Sequence, residues 1–380
     1  MKIQPFKVEE WMNAYEDSAI YNIAETCVDP LSIRELFELT ATDIEDFTER
    51  IFGRPLTYGA ITGSHSFKTG IGKLYRSLKP DNILSTHGAA GANHLVFYAL
   101  TEPGDHVISV MPTYQQLYSI PESFGAEVQI LKLRRENNYL PDLAELKEMI
   151  RPDTKLICLN NPNNPTGALI PNEMLREVVE MAENVGAYVL CDEVYRGLNQ
   201  NDEYTESVAD LYERGISAGS MSKIFSLSGL RLGWIATHNQ EVIKACFSHR
   251  DYSLISCGIL DEAVASEALK NGSAVFNRNL TRIRENLAIL DSWIREQAHV
   301  SYVKPQAGTT ALIHYDFDIP SYDFCKQLLD KTGVFLTPGA CFDEEYCFRI
   351  GYACATQTLK DGLQKLTEFT GGLSENSAIS

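Results

Sequence analysis

Two periods of hydrophobicity alternate along the middle of the chain. Short apolar runs bounded by glycine, proline or polar residues are typical of buried strands. We predict strands at these runs: 83–86, 106–110, 127–133, 155–159, 187–191, 216–219 and 232–236. Between several of them, apolar residues recur every three or four positions, as on one face of a helix. Residues 93–100 and 174–183 show this spacing.

Strands that alternate with helices indicate a mostly parallel sheet with helices on both faces. Beyond residue 248 the pattern becomes mainly helical, with short strand-like runs at 312–315, 334–337 and 347–350. The predicted fold is therefore α/β: a large domain with a mostly parallel sheet between helices, and a smaller α+β domain. We predict an N-terminal segment at 1–45 that packs with the small domain, a large domain at 46–274 and a small C-terminal domain at 275–380.

Some stretches are predicted to lie outside the main elements. Residues 52–73 are rich in glycine, serine and threonine, which favours a loop. Residues 20–28 are expected to be extended between two short helices. A last helix is predicted at 359–369, followed by a frayed polar tail at 371–380.

Composition mainly excludes classes of partner. The 380 residues carry a net charge of −18, which argues against nucleic acid and anionic membranes. No apolar run is long enough to span a bilayer, and the N-terminus lacks a signal-peptide core. Nine cysteines without a framework spacing indicate reduced thiols and a cytoplasmic location. No Cys/His cluster has zinc spacing, so no metal site is expected.

Polar or aromatic residues follow five of the predicted strands. Ligands of such sheets bind beyond the carboxyl ends of the strands, so these residues are expected to converge. After the first, second, fourth, fifth and sixth strands come, in that order, Gly88-Ala89-Ala90, Tyr114, the 160–167 stretch, Asp192 to Tyr195, and Ser220 to Lys223.

The stretch 220–234 suggests a particular ligand. The amine of Lys223 can form a Schiff base with an aldehyde. The hydroxyl of Ser220 and the guanidinium of Arg231 suit a phosphate monoester. Pyridoxal 5'-phosphate (PLP) carries both groups. On this stretch alone, a small polar loop before a buried strand explains the residues equally well.

Four motifs in order extend that hypothesis. They are Asn164-Pro165-Thr166-Gly167, Asp192-Glu193-Val194-Tyr195, Ser220-Met221-Ser222-Lys223 with Arg231, and Phe348-Arg349-Ile350-Gly351-Tyr352-Ala353. Together they resemble the fold-type I, PLP-dependent aminotransferases of class I/II, which are aspartate aminotransferase-like. The resemblance runs from Tyr58 to Ala353. It implies PLP as cofactor, and an amino acid and a 2-oxo acid as substrates.

The resemblance implies catalytic and ring-binding roles. Lys223 would bind PLP covalently and move the proton of the substrate α-carbon. Asp192 would keep the pyridine nitrogen protonated. Tyr195 and Asn164 would hydrogen-bond the ring oxygen, and Tyr114 would stack on the ring. Alternatives are a turn aspartate, a simple Asn-Pro turn and a core tyrosine.

The phosphate is expected to meet the backbone N–H groups of Ala89 and Ala90, the hydroxyl of Ser220, and Arg231. The resemblance also implies that Tyr58 reaches the phosphate of a neighbouring subunit. A homodimer with shared active sites follows from that role. The sequence after Tyr58 departs from the family pattern, however, so the loop that faces the dimer is expected to be reshaped.

Three residues are expected to bind the substrate: Arg349, Asn164 and Glu25. Arg349 would bind the substrate α-carboxylate as a two-pronged pair, because an arginine in an apolar strand needs a buried partner. Its alternative is a surface salt bridge. Glu25 lies in a segment where the family usually carries glycines, and we hypothesise that it meets a cationic side chain. Alternatively, Glu25 points to solvent or orders a nearby loop.

The expected function is transamination through a lysine aldimine. A PLP-dependent lyase or cyclase of the same fold would use the same cofactor-binding residues, so it stays as the alternative. A third hypothesis is a non-catalytic PLP-binding or regulatory module. The presence of Lys223 and the absence of an attached DNA-binding region argue against it.

Overall fold

The structure is a computed structural model that describes residues 2–377. The strands are β1 Tyr21–Asn22, β2 Ile83–Thr86, β3 His106–Met111, β4 Glu127–Lys132, β5 Thr154–Asn160, β6 Tyr188–Asp192, β7 Gly215–Ser220, β8 Gly233–Ala236, β9 Val300–Tyr302, β10 Thr310–Tyr315, β11 Val334–Phe335, β12 Thr337–Pro338 and β13 Cys347–Gly351. The α-helices are α1 Lys7–Tyr15, α2 Ile33–Thr40, α3 Ile44–Phe52, α4 His65–Gly72, α5 Gly88–Leu100, α6 Gln116–Ser123, α7 Leu143–Met149, α8 Asn172–Val185, α9 Val208–Leu211, α10 Gln240–Arg250, α11 Ile259–Lys270, α12 Gly272–Glu296, α13 Ser321–Thr332 and α14 Thr356–Ser377.

A seven-stranded sheet in the order β2-β8-β7-β6-β5-β3-β4 forms the centre of the molecule. Strand β8 runs antiparallel to both of its neighbours, and the other pairings in this sheet are parallel. The predicted α/β fold with a mostly parallel sheet is therefore confirmed. Each of the seven strands predicted for this sheet is present, with ends that shift by at most one residue. Of the later predictions, 312–315 begins two residues earlier, and 334–337 is divided between β11 and β12.

Helices cover both faces of this sheet because its central strands are apolar on both sides. Successive residues of a strand point to opposite faces. In β6, Val189 packs in one hydrophobic cluster with Leu175 of α8, whereas Leu190 packs in another with Leu95 of α5. This burial on both faces leaves the carboxyl-terminal edge of the sheet as the place for polar side chains.

A second, antiparallel sheet in the order β12-β13-β10-β9 lies in the C-terminal part of the chain. Its core is aromatic: the ring centroid of Phe324 lies 4.3 Å from the ring centroid of Tyr315 and 5.6 Å from that of Phe348. The N-terminal segment joins this region, because β1 pairs in parallel with β11. The domain limits at 46–274 and 275–380 remain a prediction.

The predicted loop at 52–73 is wrong in its second half, where α4 forms. The hydroxyl of Ser64 accepts a hydrogen bond from the N–H of Phe67 (3.4 Å) and caps the helix. Phe67 and Ile71, four residues apart, are fully buried. Gly70 does not mark a loop: a Cβ there would lie 2.6 Å from the Cβ of Leu269, so glycine lets α4 and α11 pack closely.

Two smaller predictions also need correction. Only Tyr21 and Asn22 of the predicted extended stretch 20–28 form a strand. The predicted frayed tail is helical as far as Ser377, because α14 continues beyond residue 369 and Leu373 packs against the main core. Residues 378–380 of that prediction lie outside the described part of the chain.

Candidate active site

A cavity of about 280 Å³ opens where the carboxyl ends of the central strands meet the N-terminal segment. It brings together all but one of the predicted site residues. Those that line it are Glu25, Ala89, Ala90, Tyr114, Asn164, Asp192, Tyr195, Ser220, Lys223, Arg231 and Arg349. Within residues 2–377, no helix is long and apolar enough to cross a bilayer, and no cluster of three metal-binding side chains forms.

Lys223 follows β7, and its amine lies in the cavity. The Nζ atom donates a hydrogen bond to Thr26 Oγ1 (2.5 Å) and contacts Cys27 Sγ (3.2 Å). Burial opposes the charge, but the ionisable groups of Cys27, Tyr195 and Glu25 outweigh it and raise the pKa of Lys223. At neutral pH the amine is therefore protonated, and it must lose a proton before it can act as a nucleophile.

Asp192 ends β6 and is buried. Its Oδ2 accepts a hydrogen bond from Asn93 Nδ2 (2.8 Å), and its Oδ1 accepts one from the N–H of Val194 (3.2 Å). Burial raises the pKa of Asp192, although these donors and Lys223 act in the opposite direction. The alternative of a simple turn aspartate explains only the Val194 contact. A buried carboxylate that faces a cavity suits a cationic N–H group, such as a protonated ring nitrogen.

The N-terminus of α5 forms a cradle for an anion. No side chain caps this thirteen-residue helix, so its first N–H groups are free of such a partner. Gly88 has a φ of +66°, and a Cβ there would lie 3.2 Å from Arg231 Nη2. A Cβ on Gly233 would lie 2.3 Å from the carbonyl carbon of Gly88. These close approaches leave the helix terminus and the guanidinium side by side, as a phosphate requires.

Ser220 and Arg231 complete this end of the cavity. Ser220 is buried at the end of β7, and its Oγ accepts a hydrogen bond from the N–H of Ser222 (3.3 Å). Arg231 donates to the carbonyl oxygen of Ser228 (2.9 Å) and makes no ion pair with the described residues. Its guanidinium therefore has donors left for an anionic ligand.

Tyr114 lies under the N-terminal segment. Its ring centroid is 5.0 Å from that of Phe6, and burial raises the pKa of its hydroxyl. The next residue, Gln115, accepts a hydrogen bond from the N–H of Lys7 (2.9 Å) and donates one to the carbonyl of Pro5 (2.8 Å). The start of α1 is thus held over the end of β3, and it closes one side of the cavity.

Arg349 lies in β13 and is 3% exposed. Its Nη1 donates to Asn164 Oδ1 (3.2 Å), and its Nη2 donates to Ala24 O (3.0 Å) and Thr337 Oγ1 (3.1 Å). Its Nε is buried without a partner. Burial lowers the pKa of Arg349, which stays charged all the same. The surface salt bridge considered for this residue is not seen, because Arg349 is buried and no carboxylate among the described side chains, residues 2–373, pairs with it.

Asn164 and Tyr195 are both buried beside Lys223 and Arg349. The backbone N–H of Asn164 donates to Asn160 Oδ1 (2.7 Å), which fixes the turn after β5. The Nζ of Lys223 lies 6.0 Å from the centre of the Tyr195 ring. The contact between Asn164 and Arg349 makes one continuous polar wall of the two strand ends.

Glu25 does one of the things considered for it, which is to order a nearby loop. Its Oε2 accepts hydrogen bonds from the N–H groups of Thr26 (3.1 Å) and Cys27 (3.4 Å), so it orders the turn that reaches Lys223. It also lines the cavity instead of pointing away from it.

Sequence reasoning missed several residues of the site. Asn93 was assigned only to a helix, yet it is fully buried against Asp192. A buried asparagine among the apolar residues of α5 is a signal that could have identified it. Thr26 and Cys27, which contact the amine of Lys223, belong to none of the four motifs. The cavity contacts of Glu9 and Glu16 depend on where α1 packs, which no local pattern encodes.

Tyr58 is the predicted site residue that lies outside the cavity. Its side chain is 73% exposed, in the stretch between α3 and α4. Other large apolar side chains are exposed in the same stretch and in the one before α11: Phe52, Leu56, Ile61, Tyr252 and Ile255.

Comparison with known proteins identifies the family of this chain. The profile of the family "Aminotransferase class I and II" matches residues 38–366. Capreomycidine synthase of Streptomyces vinaceus is 30% identical over 315 residues, which are 82% of this chain and 80% of that protein.

Two solved structures extend the likeness. A PLP-dependent aminotransferase from Streptococcus suis 89-1591 is 48% identical, covers 97% of this chain and 98% of its own, and superposes with a TM-score of 0.95. A PLP-dependent cyclase is 25% identical, covers 97% of both chains and has a TM-score of 0.90. With the lysine, the buried carboxylate and the uncapped helix terminus in one cavity, this chain belongs to the class I and II aminotransferase family, whose members depend on PLP.

Proposed function

We propose that the protein is a PLP-dependent transaminase that moves an amino group between an amino acid and a 2-oxo acid. The observation that carries the proposal is that Lys223 and Arg349 open on the same cavity, and that Arg349 is buried there without a carboxylate partner among the side chains of residues 2–373. One residue supplies a base and the other supplies a site for an α-carboxylate. The 48% identity to a chain described as an aminotransferase supports the same conclusion.

PLP, when bound, supplies an aldehyde and a ring that accepts electrons. Lys223 is the residue that takes and returns the proton of the substrate α-carbon, since it is the amine at the centre of the cavity. Thr26 and Cys27 hold that amine in place through the 2.5 Å and 3.2 Å contacts. Asp192 offers a buried negative charge to the ring nitrogen, and Asn93 orients its carboxylate.

The other predicted residues keep their roles as proposals. The N–H groups of Ala89 and Ala90, with Ser220 and Arg231, would hold the phosphate. Tyr114 would cover one face of the ring. Asn164 and Tyr195 would hydrogen-bond its phenolic oxygen. Arg349 orients the substrate through its carboxylate, and the N-terminal segment excludes water from the cavity.

We also propose a homodimer that shares its active sites. Family members are typically dimers, and a patch of apolar side chains is exposed around Tyr58. In the dimer, Tyr58 contacts the phosphate in the partner's site. Co-expression of Tyr58→Phe with Lys223→Ala tests the shared site. One native site per mixed dimer is expected to restore part of the activity, and separate variants mixed without exchange are expected to stay inactive.

A cytoplasmic location is proposed as well. All nine cysteines lie among the described residues and are unpaired, which fits a reducing compartment. Fractionation of cells that produce the protein would check it.

A cyclase or lyase is the second candidate. It is favoured by the likeness to capreomycidine synthase and to the solved cyclase. The residues that bind PLP would be the same in both cases. The two reactions differ in whether the amino group stays on the cofactor.

A single half-reaction distinguishes the two candidates. The PLP-loaded protein is mixed with an amino acid panel and no 2-oxo acid, and the cofactor absorbance is followed. Conversion to the aminated cofactor supports transamination. Ammonia or a cyclised product with an unchanged cofactor supports the second candidate. Lys223→Ala is expected to abolish the lysine-bound absorbance band, and a band that persists would refute the central role of Lys223.

A further inference from the structure

Three carboxylates line one wall of the cavity. Glu9 lies in α1, Glu16 directly follows that helix, and Glu25 lies in the turn that reaches Lys223. All three come from the N-terminal segment, whereas Arg349 and the PLP-binding residues come from elsewhere in the chain. The N-terminal segment therefore gives the cavity a negatively charged wall.

None of the three carboxylates is in an ion pair with a basic residue of the described chain. Glu16 Oε1 accepts a hydrogen bond from Asn22 Nδ2 (3.0 Å), and Glu25 accepts its bonds from backbone N–H groups. These donors are neutral, so they orient the carboxylates without cancelling their charge.

The carboxylates are close enough to repel one another. Burial raises the pKa of Glu16, and the negative charges of Glu25 and Glu9 raise it further. Like charges that gather at a partly buried surface destabilise one another unless a cation joins them. In the free protein the positive groups of Lys223 and Arg349 act on this wall from nearby, but neither forms an ion pair with it.

The opposite charge lies only a short distance away. The carbonyl of Ala24 accepts a hydrogen bond from Arg349 Nη2 (3.0 Å). Glu25 is the next residue in the chain after this contact. Arg349 is nine-tenths buried and its Nε has no partner. The same cavity therefore holds a guanidinium that can bind a ligand carboxylate and three carboxylates that can bind a ligand cation.

We propose that the substrate is an α-amino acid whose side chain ends in an amino or guanidino group. Arg349 binds its α-carboxylate, Glu25 is the main contact of the distal cation, and Glu9 and Glu16 add to the attraction. This inference rests on the proposed function, because it assigns the substrate of the same site. A side-chain carboxylate, as in aspartate, is disfavoured by the same wall.

The test compares arginine and lysine with the neutral norleucine. The half-reaction of the PLP-loaded protein gives kcat/KM for each amino acid, and calorimetry gives its affinity. The native protein is expected to prefer the cationic substrates by about tenfold or more. Glu25→Gln is expected to reduce that preference, measured as the ratio of kcat/KM for arginine to that for norleucine, about tenfold. The ratio removes any effect of the variant on Lys223, because that effect is common to both substrates. Glutamine keeps an oxygen that can accept the N–H groups of Thr26 and Cys27, so the turn is preserved.

Glu10→Gln is the matched control, because Glu10 is exposed on α1 and does not line the cavity. It is expected to keep the native preference. Glu9→Gln with Glu16→Gln is expected to weaken the same ratio by less than Glu25→Gln does. Raising the ionic strength is expected to reduce it as well, since salt screens partly exposed charges.

Equal kcat/KM and affinity for arginine and norleucine in the native protein would overturn the proposal. So would a preference that Glu25→Gln leaves unchanged. If no amino acid converts the cofactor, the proposed transamination fails, and the affinities measured by calorimetry still decide whether the site selects a cationic side chain.

Discussion

Asn93 donates a hydrogen bond to Asp192 across 2.8 Å, although 99 residues separate them in the chain. Helix α5, which follows strand β2, therefore orients a carboxylate at the end of strand β6. Asn93 Oδ1 is buried and has no partner, which shows that the side chain is held there by its Nδ2 group.

Asn93→Ala is expected to leave the fold intact and to lower kcat about tenfold. The loss of one donor to a buried charge amounts to ~1.5 kcal/mol. Without this hydrogen bond the pKa of Asp192 would lie still higher, so the acidic limb of the pH–rate profile is expected to move up. His94→Ala, which changes an exposed residue of the same helix, is the control. An unchanged profile for Asn93→Ala would remove its orienting role.

Asp192→Asn is expected to stabilise the cofactor-free protein at neutral pH and to abolish activity. Burial raises the pKa of Asp192 above that of the unfolded chain, so its ionisation destabilises the fold once the pH exceeds the folded-state pKa. The gain is expected to be about 1 kcal/mol at pH 7. It should shrink as the pH falls through the folded-state pKa and vanish below the unfolded-state pKa. Thermal unfolding from pH 7 downward measures it, and a gain that does not depend on pH would contradict this account.

Gly88→Ala is expected to weaken PLP binding about tenfold. The φ of +66° costs a side chain ~1–2 kcal/mol, and the new Cβ would lie 3.2 Å from Arg231 Nη2. Gly91→Ala in the same helix is the control, because its Cβ would meet only ordinary contacts at 3.6 Å and 3.8 Å. Fluorescence titration with PLP compares them. Equal affinities for the two variants would mean that the cradle at the start of α5 does not hold the phosphate.

Arg349→Lys is expected to raise KM for amino acids by roughly 10- to 100-fold. Lysine keeps the charge but loses the fork, and hydrogen bonds to a charged group contribute ~1.5–3 kcal/mol. PLP affinity is expected to stay unchanged. The exposed Arg135→Lys makes the same chemical change away from the cavity and is expected to have no effect. A loss of PLP binding without a change in KM would assign Arg349 to the cofactor instead.

Gly70→Ala tests a glycine far from the chemistry. A Cβ there would lie 2.6 Å from that of Leu269, so the variant is expected to lose about 1–3 kcal/mol of unfolding free energy. Gly371→Ala, whose Cβ would meet open space in α14, is expected to be neutral or slightly stabilising. Denaturant unfolding of both proteins makes the comparison.

The sequence predicted what local patterns encode. The apolar runs predicted the central strands, and residues such as Asp192 and Lys223 were identifiable because they end those runs within known motifs. Gly70 favoured the wrong prediction of a loop at 52–73, because the sequence does not distinguish a glycine that permits close helix packing from a glycine in a loop. Glu9 and Asn93 were missed because their roles arise from contacts with distant parts of the chain.

The N-terminal segment has a consequence for biosynthesis. The carbonyl of Ile23 accepts a hydrogen bond from the N–H of Gly351 (2.8 Å), and the carbonyl of Thr26 accepts one from the hydroxyl of Thr309 (2.7 Å). A ribosome makes residues 21–27 before Lys223, yet it makes their partners Thr309 and Gly351 after Lys223. A nascent chain that already carries Lys223 therefore lacks the groups that position Thr26 and Cys27 beside its amine, until residues 309 to 351 have been made.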